Sequence, residues 1–160
     1  MKERVVKVAD WAVEKGEAVI ATYGLGSCVA CVLHDPVAGV GGLAHVLLPS
    51  PTLARDRSNP AKFPETAVPL LVEEMVKLGA APERLRARLV GGASMFARVG
   101  SAGIALMGDR NVAATREALK AARIPIVGED TGLDYGRSVI LHLPDGNLDI
   151  RSVLHGSREL

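Results

Sequence analysis

Two apolar runs, residues 28–33 and 40–48, stand on either side of Asp35-Pro36 and Gly39, and no other stretch constrains the fold as tightly. Asp-Pro opens a turn and glycine lets the backbone reverse, so the runs read as two strands of an antiparallel hairpin. If His34 and Gly39 close a four-residue loop, paired residue numbers total 73 and Cys28 lies opposite His45. Directly opposed residues project to the same side with Cβ atoms about 4.5–5.5 Å apart, which brings a thiol to an imidazole. A one-residue slip would send the two side chains to opposite faces, so the expected register is a strong commitment.

A histidine beside a cysteine stabilises the thiolate, and the thiolate is the nucleophile. The segment leading to Cys28, Thr22-Tyr23-Gly24-Leu25-Gly26-Ser27, is rich in turn formers. Gly26 lets backbone come close to a substrate, and N–H groups near Ser27 and Cys28 are candidates to hold a developing oxyanion. Thr22 can supply the third element, a hydroxyl or carbonyl that orients the imidazole. Attack of sulfur on a carbonyl is the chemistry this set suits, meaning hydrolysis of an amide, ester or thioester.

Cys28-Val29-Ala30-Cys31 also spells CxxC, the signature of a redox pair or half a zinc site, with His34 and His45 as further ligands. Redox pairs of this kind usually open a helix, whereas here Val32-Leu33 and a turn follow. On a strand, positions three apart face opposite ways, which disfavours both uses. Cys31 reads as a buried, unreactive thiol, and His34 as a surface residue at the turn. His142 and His155 carry no assigned role. No metal or cofactor is expected.

Composition sets the outer limits. A chain of 160 residues with 48% hydrophobic residues suits one domain, residues 1–160, with a substantial core. Only five aromatics are present, so aliphatic side chains must fill that core, and base stacking on nucleic acid is disfavoured. A net charge of +1 gives no reason to expect nucleic acid or an acidic membrane surface. Met1-Lys2-Glu3-Arg4 does not lead into an apolar signal segment and no apolar run reaches membrane-spanning length, so a cytoplasmic protein with reduced thiols is expected.

Along the chain, residues 5–8 and 18–23 read as strands, with Trp11 between them as a core anchor. Residues 64–78 repeat Ala67, Leu71, Met75 and Leu78 at helical spacing and stop at Gly79, although Pro69 lies inside. Strands are expected at 86–90, 104–107 and 124–128. A helix is expected near 112–122, with Asn111 as its N-cap. A second hairpin, 137–143 with 148–153, turns at Asp145-Gly146, and the tail 154–160 is expected to fray. Gly91-Gly92 reads as tight packing near the site, and Asp130 with Arg137 as a solvated ion pair. The sum is an α+β fold of about eight strands and two main helices, with hairpins in mixed or antiparallel sheet.

The segments Thr22 to Cys28 and Gly41-Gly42-Leu43-Ala44-His45 resemble the chemoreceptor glutamine deamidases of bacterial chemotaxis, the CheD family. Gly91-Gly92-Ala93-Ser94-Met95-Phe96, Gly108-Asp109-Arg110-Asn111, and Asp130-Thr131-Gly132 with Gly136-Arg137 extend the resemblance over most of the chain. It implies a three-layer α/β sandwich and a cysteine hydrolase that converts receptor glutamines to glutamates, with Cys28, His45 and Thr22 as the catalytic residues. It also implies hydrolysis of glutamyl methyl esters in some relatives, and a regulatory partner, the chemotaxis phosphatase CheC. A non-catalytic module that binds and regulates CheC is the alternative. Tyr23 and Leu133 depart from the family pattern, where leucine and a second glycine are usual.

Overall fold

The computed structural model describes residues 1–94 and 107–160. These residues form ten strands and two α-helices: β1 (Lys2–Val5), β2 (Trp11–Lys15), β3 (Ala18–Leu25), β4 (Val29–Asp35), β5 (Val40–Val46), α1 (Pro64–Lys77), β6 (Arg86–Gly91), α2 (Met107–Ala121), β7 (Ile126–Thr131), β8 (Arg137–Leu143), β9 (Asn147–Ser152) and β10 (Gly156–Glu159). The strands divide into two five-stranded sheets. The central sheet has the order β2-β5-β4-β6-β7 and the outer sheet β1-β3-β8-β9-β10. The pairs β1–β3 and β6–β7 are parallel and the rest antiparallel. The fold is therefore α+β, with three layers: helices, central sheet, outer sheet.

The central hairpin explains the layering. Every residue of β4 and β5 is buried, as expected of strands covered on both faces. Side chains alternate: Val29, Cys31 and Leu33 join Leu71 and Met75 of α1 and Leu119 of α2 in one core. Cys28, Ala30, Val32 and Leu43 join Ile20, Val139 and Leu141 of the outer sheet in a second core. Helix α1 starts on Pro64 in its first turn and buries Ala67, Val68, Leu71 and Met75. Pro69 faces solvent and the helix runs through it.

The hairpin register differs from the expected one. Asp35 pairs with Val40 and Ala30 with His45, so paired numbers total 75 rather than 73. The turn chemistry is the cause. Gly39 has φ +66, a left-handed conformation that belongs in a turn and not in a strand. Asp35 accepts from the N–H groups of Val37 and Ala38 through its Oδ1, which folds the loop after it instead of around it. A shift of two in the total slides one strand by two residues and preserves the faces.

Other departures have similar local reasons. The first strand is β1, and Trp11 begins a strand of its own, β2, half-buried against the helical core. The tail is not frayed, because β10 pairs with β9. His34 is buried, with Nε2 2.9 Å from the carbonyl oxygen of Pro144. Asp130 and Arg137 are also buried, joined at 3.0 Å between Nε and Oδ1, so the pair is a tie between the two sheets. The expected strand at 104–107 lies outside the described residues except for Met107, which is helical. No helix among the described residues is long and apolar enough to cross a membrane.

Candidate active site

Thr22 projects from the outer sheet and His45 from the central one, and they meet in the seam between the sheets. Thr22 Oγ1 lies 2.7 Å from His45 Nδ1 and 2.6 Å from the carbonyl oxygen of Val6. That carbonyl can only accept, so it takes the single hydroxyl hydrogen of Thr22. Oγ1 must then accept from Nδ1–H. The neutral ring is thereby fixed with its hydrogen on Nδ1 and a lone pair on Nε2. His45 Nε2 is buried and has no hydrogen-bond partner among the described residues.

The backbone of His45 is held on both sides by the turn between β1 and β2. Ala9 N–H donates to the His45 carbonyl at 2.9 Å, and His45 N–H donates to the Asp10 carbonyl at 3.0 Å. Ala9 takes a left-handed φ of 61°, unusual for a residue with a Cβ. Asn59 Nδ2 donates to the Ala9 carbonyl at 2.8 Å and so braces that turn from the loop after β5.

Cys28 lies one residue before β4. Extending the β4–β5 register one step puts it level with Leu47 and diagonal to His45, on the same face. Diagonal neighbours stand roughly 7–8 Å apart, which suits a sulfur and Nε2 facing one another without a direct bond. Exposure falls from Cys28 at 8% to His45 and Thr22 at 0%, so of the three residues Cys28 alone reaches solvent. Burial pushes the Cys28 thiol above its ordinary pKa, while its own backbone N–H pulls the other way. Burial also pushes His45 below the ordinary 6.5. Both shifts favour the uncharged forms, a thiol and a neutral imidazole.

Gly26 and Ser27 form a half-buried loop whose carbonyls all point inward. Ala93 N–H donates to the Gly26 carbonyl at 2.9 Å and Gly92 N–H to the Cys28 carbonyl at 2.8 Å. Gly91 has φ +110 and no room for a Cβ against the Cys28 carbonyl, which explains the glycine pair after β6 as close packing. Asn111, expected as an N-cap, instead sits inside α2. Its Nδ2 donates to the carbonyls of Ser27 at 2.8 Å and Leu47 at 3.1 Å. Sequence reasoning missed this contact and those of Val6, Ala9 and Asp10. The only signal for Asn111 was its place in a glycine-led motif.

The competing readings of the cysteines lose the geometry they require. Cys31 is fully buried on the helical side of the sheet, and burial pushes its thiol to about 12. Cys28 faces the other layer. A separate cavity of about 540 Å³ opens beside Gly24, lined in part by Tyr135, Arg137, Ser138 and Arg151, and Cys28 is not among its walls.

Comparison with known proteins places the chain. Residues 47–152 match the family CheD, described as chemotactic sensory transduction, a span that begins two residues after His45. A protein of Caldanaerobacter subterraneus subsp. tengcongensis named probable chemoreceptor glutamine deamidase CheD is 46% identical over 158 residues, covering 98% of each chain. A protein of the same name from Pyrococcus abyssi is 46% identical over 97% of this chain and 94% of its own. The crystal structure of a Neisseria meningitidis protein of family DUF152 aligns with a TM-score of 0.54 over 84% of this chain. Identity there is 11%, which speaks for the fold alone, and this chain spans 65% of that protein's length.

Proposed function

This chain belongs to the CheD family, and from that premise we propose that it is a cysteine hydrolase that deamidates glutamine side chains of chemoreceptors in chemotaxis. The names of its relatives supply the substrate class. The geometry supports the chemistry, and one observation carries the reading: a histidine tautomer fixed by Thr22, with a free Nε2 lone pair on the face that Cys28 shares.

In this mechanism His45 Nε2 takes the thiol proton as Cys28 Sγ attacks the carboxamide carbon. The carbonyl oxygen becomes an oxyanion, held by backbone N–H groups of the loop at residues 26–28. The imidazolium, its charge supported by the Thr22 hydroxyl oxygen at Nδ1–H, returns its proton to the nitrogen, and ammonia leaves. A water, deprotonated by Nε2, then attacks the thioester carbon. The thiolate leaves and is reprotonated, and the substrate is released as glutamate. A glutamyl methyl ester would pass through the same thioester, with methanol leaving in place of ammonia.

The test is mass spectrometry of a receptor cytoplasmic fragment after incubation with this protein. Each converted glutamine gains about one dalton, because NH2 becomes OH. The parent protein produces the gain and Cys28→Ala does not. Conversion that persists in Cys28→Ala, or no conversion by the parent, overturns the reading. The partner CheC rests on the family resemblance, and its binding to the folded Cys28→Ala variant is measured separately.

A further inference from the structure

We infer that Asn111 is a positioning residue for the nucleophile loop: by holding the Ser27 carbonyl it turns the Cys28 N–H toward the place where the oxyanion forms. The inference rests on the deamidase reading and adds a residue to it.

The argument follows from peptide geometry. In a trans peptide the C=O and N–H point in opposite directions. The Gly26 carbonyl is fixed by Ala93 N–H and the Ser27 carbonyl by Asn111 Nδ2. The N–H groups of Ser27 and Cys28 are therefore both aimed away from α2 and the loop after β6. No backbone carbonyl of the described residues accepts a hydrogen bond from either. Two adjacent N–H groups beside a nucleophilic sulfur make an oxyanion hole.

Asn111 has no slack for another orientation. It is fully buried, and both hydrogens of its Nδ2 are committed, one to Ser27 and one to Leu47. Reversing the amide would set Oδ1 against two carbonyl oxygens. Its Oδ1 is buried without a partner among the described residues, so the donations alone set its orientation. Leu47 is level with Cys28 across the hairpin, so the one amide spans both strands at the nucleophile.

The experiment compares the parent and Asn111→Ala by two rates, each normalised to titrated Cys28 thiols. The first is glutamine conversion. The second is alkylation of Cys28 by iodoacetamide, located by mass spectrometry, which needs the thiol but no oxyanion hole. In Asn111→Ala, kcat falls about tenfold to hundredfold, part of what removing a direct donor costs, while KM and the alkylation rate hold. Asn111→Asp, nearly the same shape without the donors, shows the same split. Alkylation falling in step with kcat, kcat unchanged in a folded variant, or loss of fold in both variants assigns Asn111 a purely structural role and overturns the inference. An inactive parent overturns the deamidase reading itself, so the two failures are distinct.

Discussion

The two faces of the central sheet make different use of the same strand. Cys28 and Cys31 are three residues apart, yet one faces the helices and the other the outer sheet. On the helical face Cys31 packs among Leu71, Met75 and Leu89 and its thiol is raised to about 12. A polar exception there is Asp35 at the far end of β4, whose carboxylate is satisfied by Arg84 and the N–H of Ala81 as well as by its own turn. The seam face instead holds Thr22, His45 and Cys28 among aliphatic neighbours, with the buried Nε2 of His45 left unpaired among the described residues. In the proposed mechanism, reactivity belongs to the face and its polar partners, not to the cysteine or to the strand.

The largest expected effect is on catalysis. His45→Ala lowers kcat for glutamine conversion by about 10²–10⁴-fold, the usual worth of a positioned acid–base group, whereas Cys31→Ala leaves kcat unchanged. Equal losses in both would erase the distinction between the faces. Next is Asp35→Asn, which removes a charge from a buried set of hydrogen bonds and costs about 2–4 kcal/mol of stability in chemical denaturation. Its kcat is expected to be that of the parent, because Asp35 lies at the opposite end of the hairpin. Thr22→Val strands His45 Nδ1–H and the Val6 carbonyl, and kcat falls about tenfold to hundredfold for one buried hydrogen bond.

The smallest effect is in pH dependence, and it separates the faces by window. His45 has a folded pKa below 6.5, so the unfolded chain binds the proton first. Stability therefore drops as pH falls below 6.5, until the native ring also protonates, and the acid limb of kcat/KM lies below 6.5 as well. For Asp35, burial alone would raise the pKa, but Arg84 and the surrounding N–H groups more than offset it and hold the carboxyl well below 3.8. Its contribution is present above 3.8 and is lost as pH falls further. Denaturation across pH shows two separate losses, and His45→Ala removes only the upper one.

The sequence carried the local features well and the long-range ones poorly. The apolar run of residues 28–33, turn residues at 35–39 and the helical repeat through Leu71 and Met75 act within a few positions, so the hairpin and α1 were legible. The face shared by Cys28 and His45 was legible too, because a shift of the pairing total from 73 to 75 moves by whole strand periods. The register itself was not, since it depended on the φ of Gly39 and on the side-chain bonds of Asp35. Asn111, Ala9 and Val6 act on the site from elements dozens of residues away or across a sheet boundary. Spacing holds no trace of such contacts, and Asn111 was assigned to the nearest local role. The buried Arg137–Asp130 pair was likewise read as solvated, because only the packing of two sheets reveals that water is excluded.

Because Thr22 and His45 come from different layers, their 2.7 Å contact exists only when one layer is docked on the other in correct alignment. A collapsed chain with every strand and helix formed, but with its layers slid by a single side chain, would give an ordinary circular dichroism spectrum and no turnover. Enzymatic competence in this protein is thus a report on tertiary docking, and during refolding it should be the last signal to return.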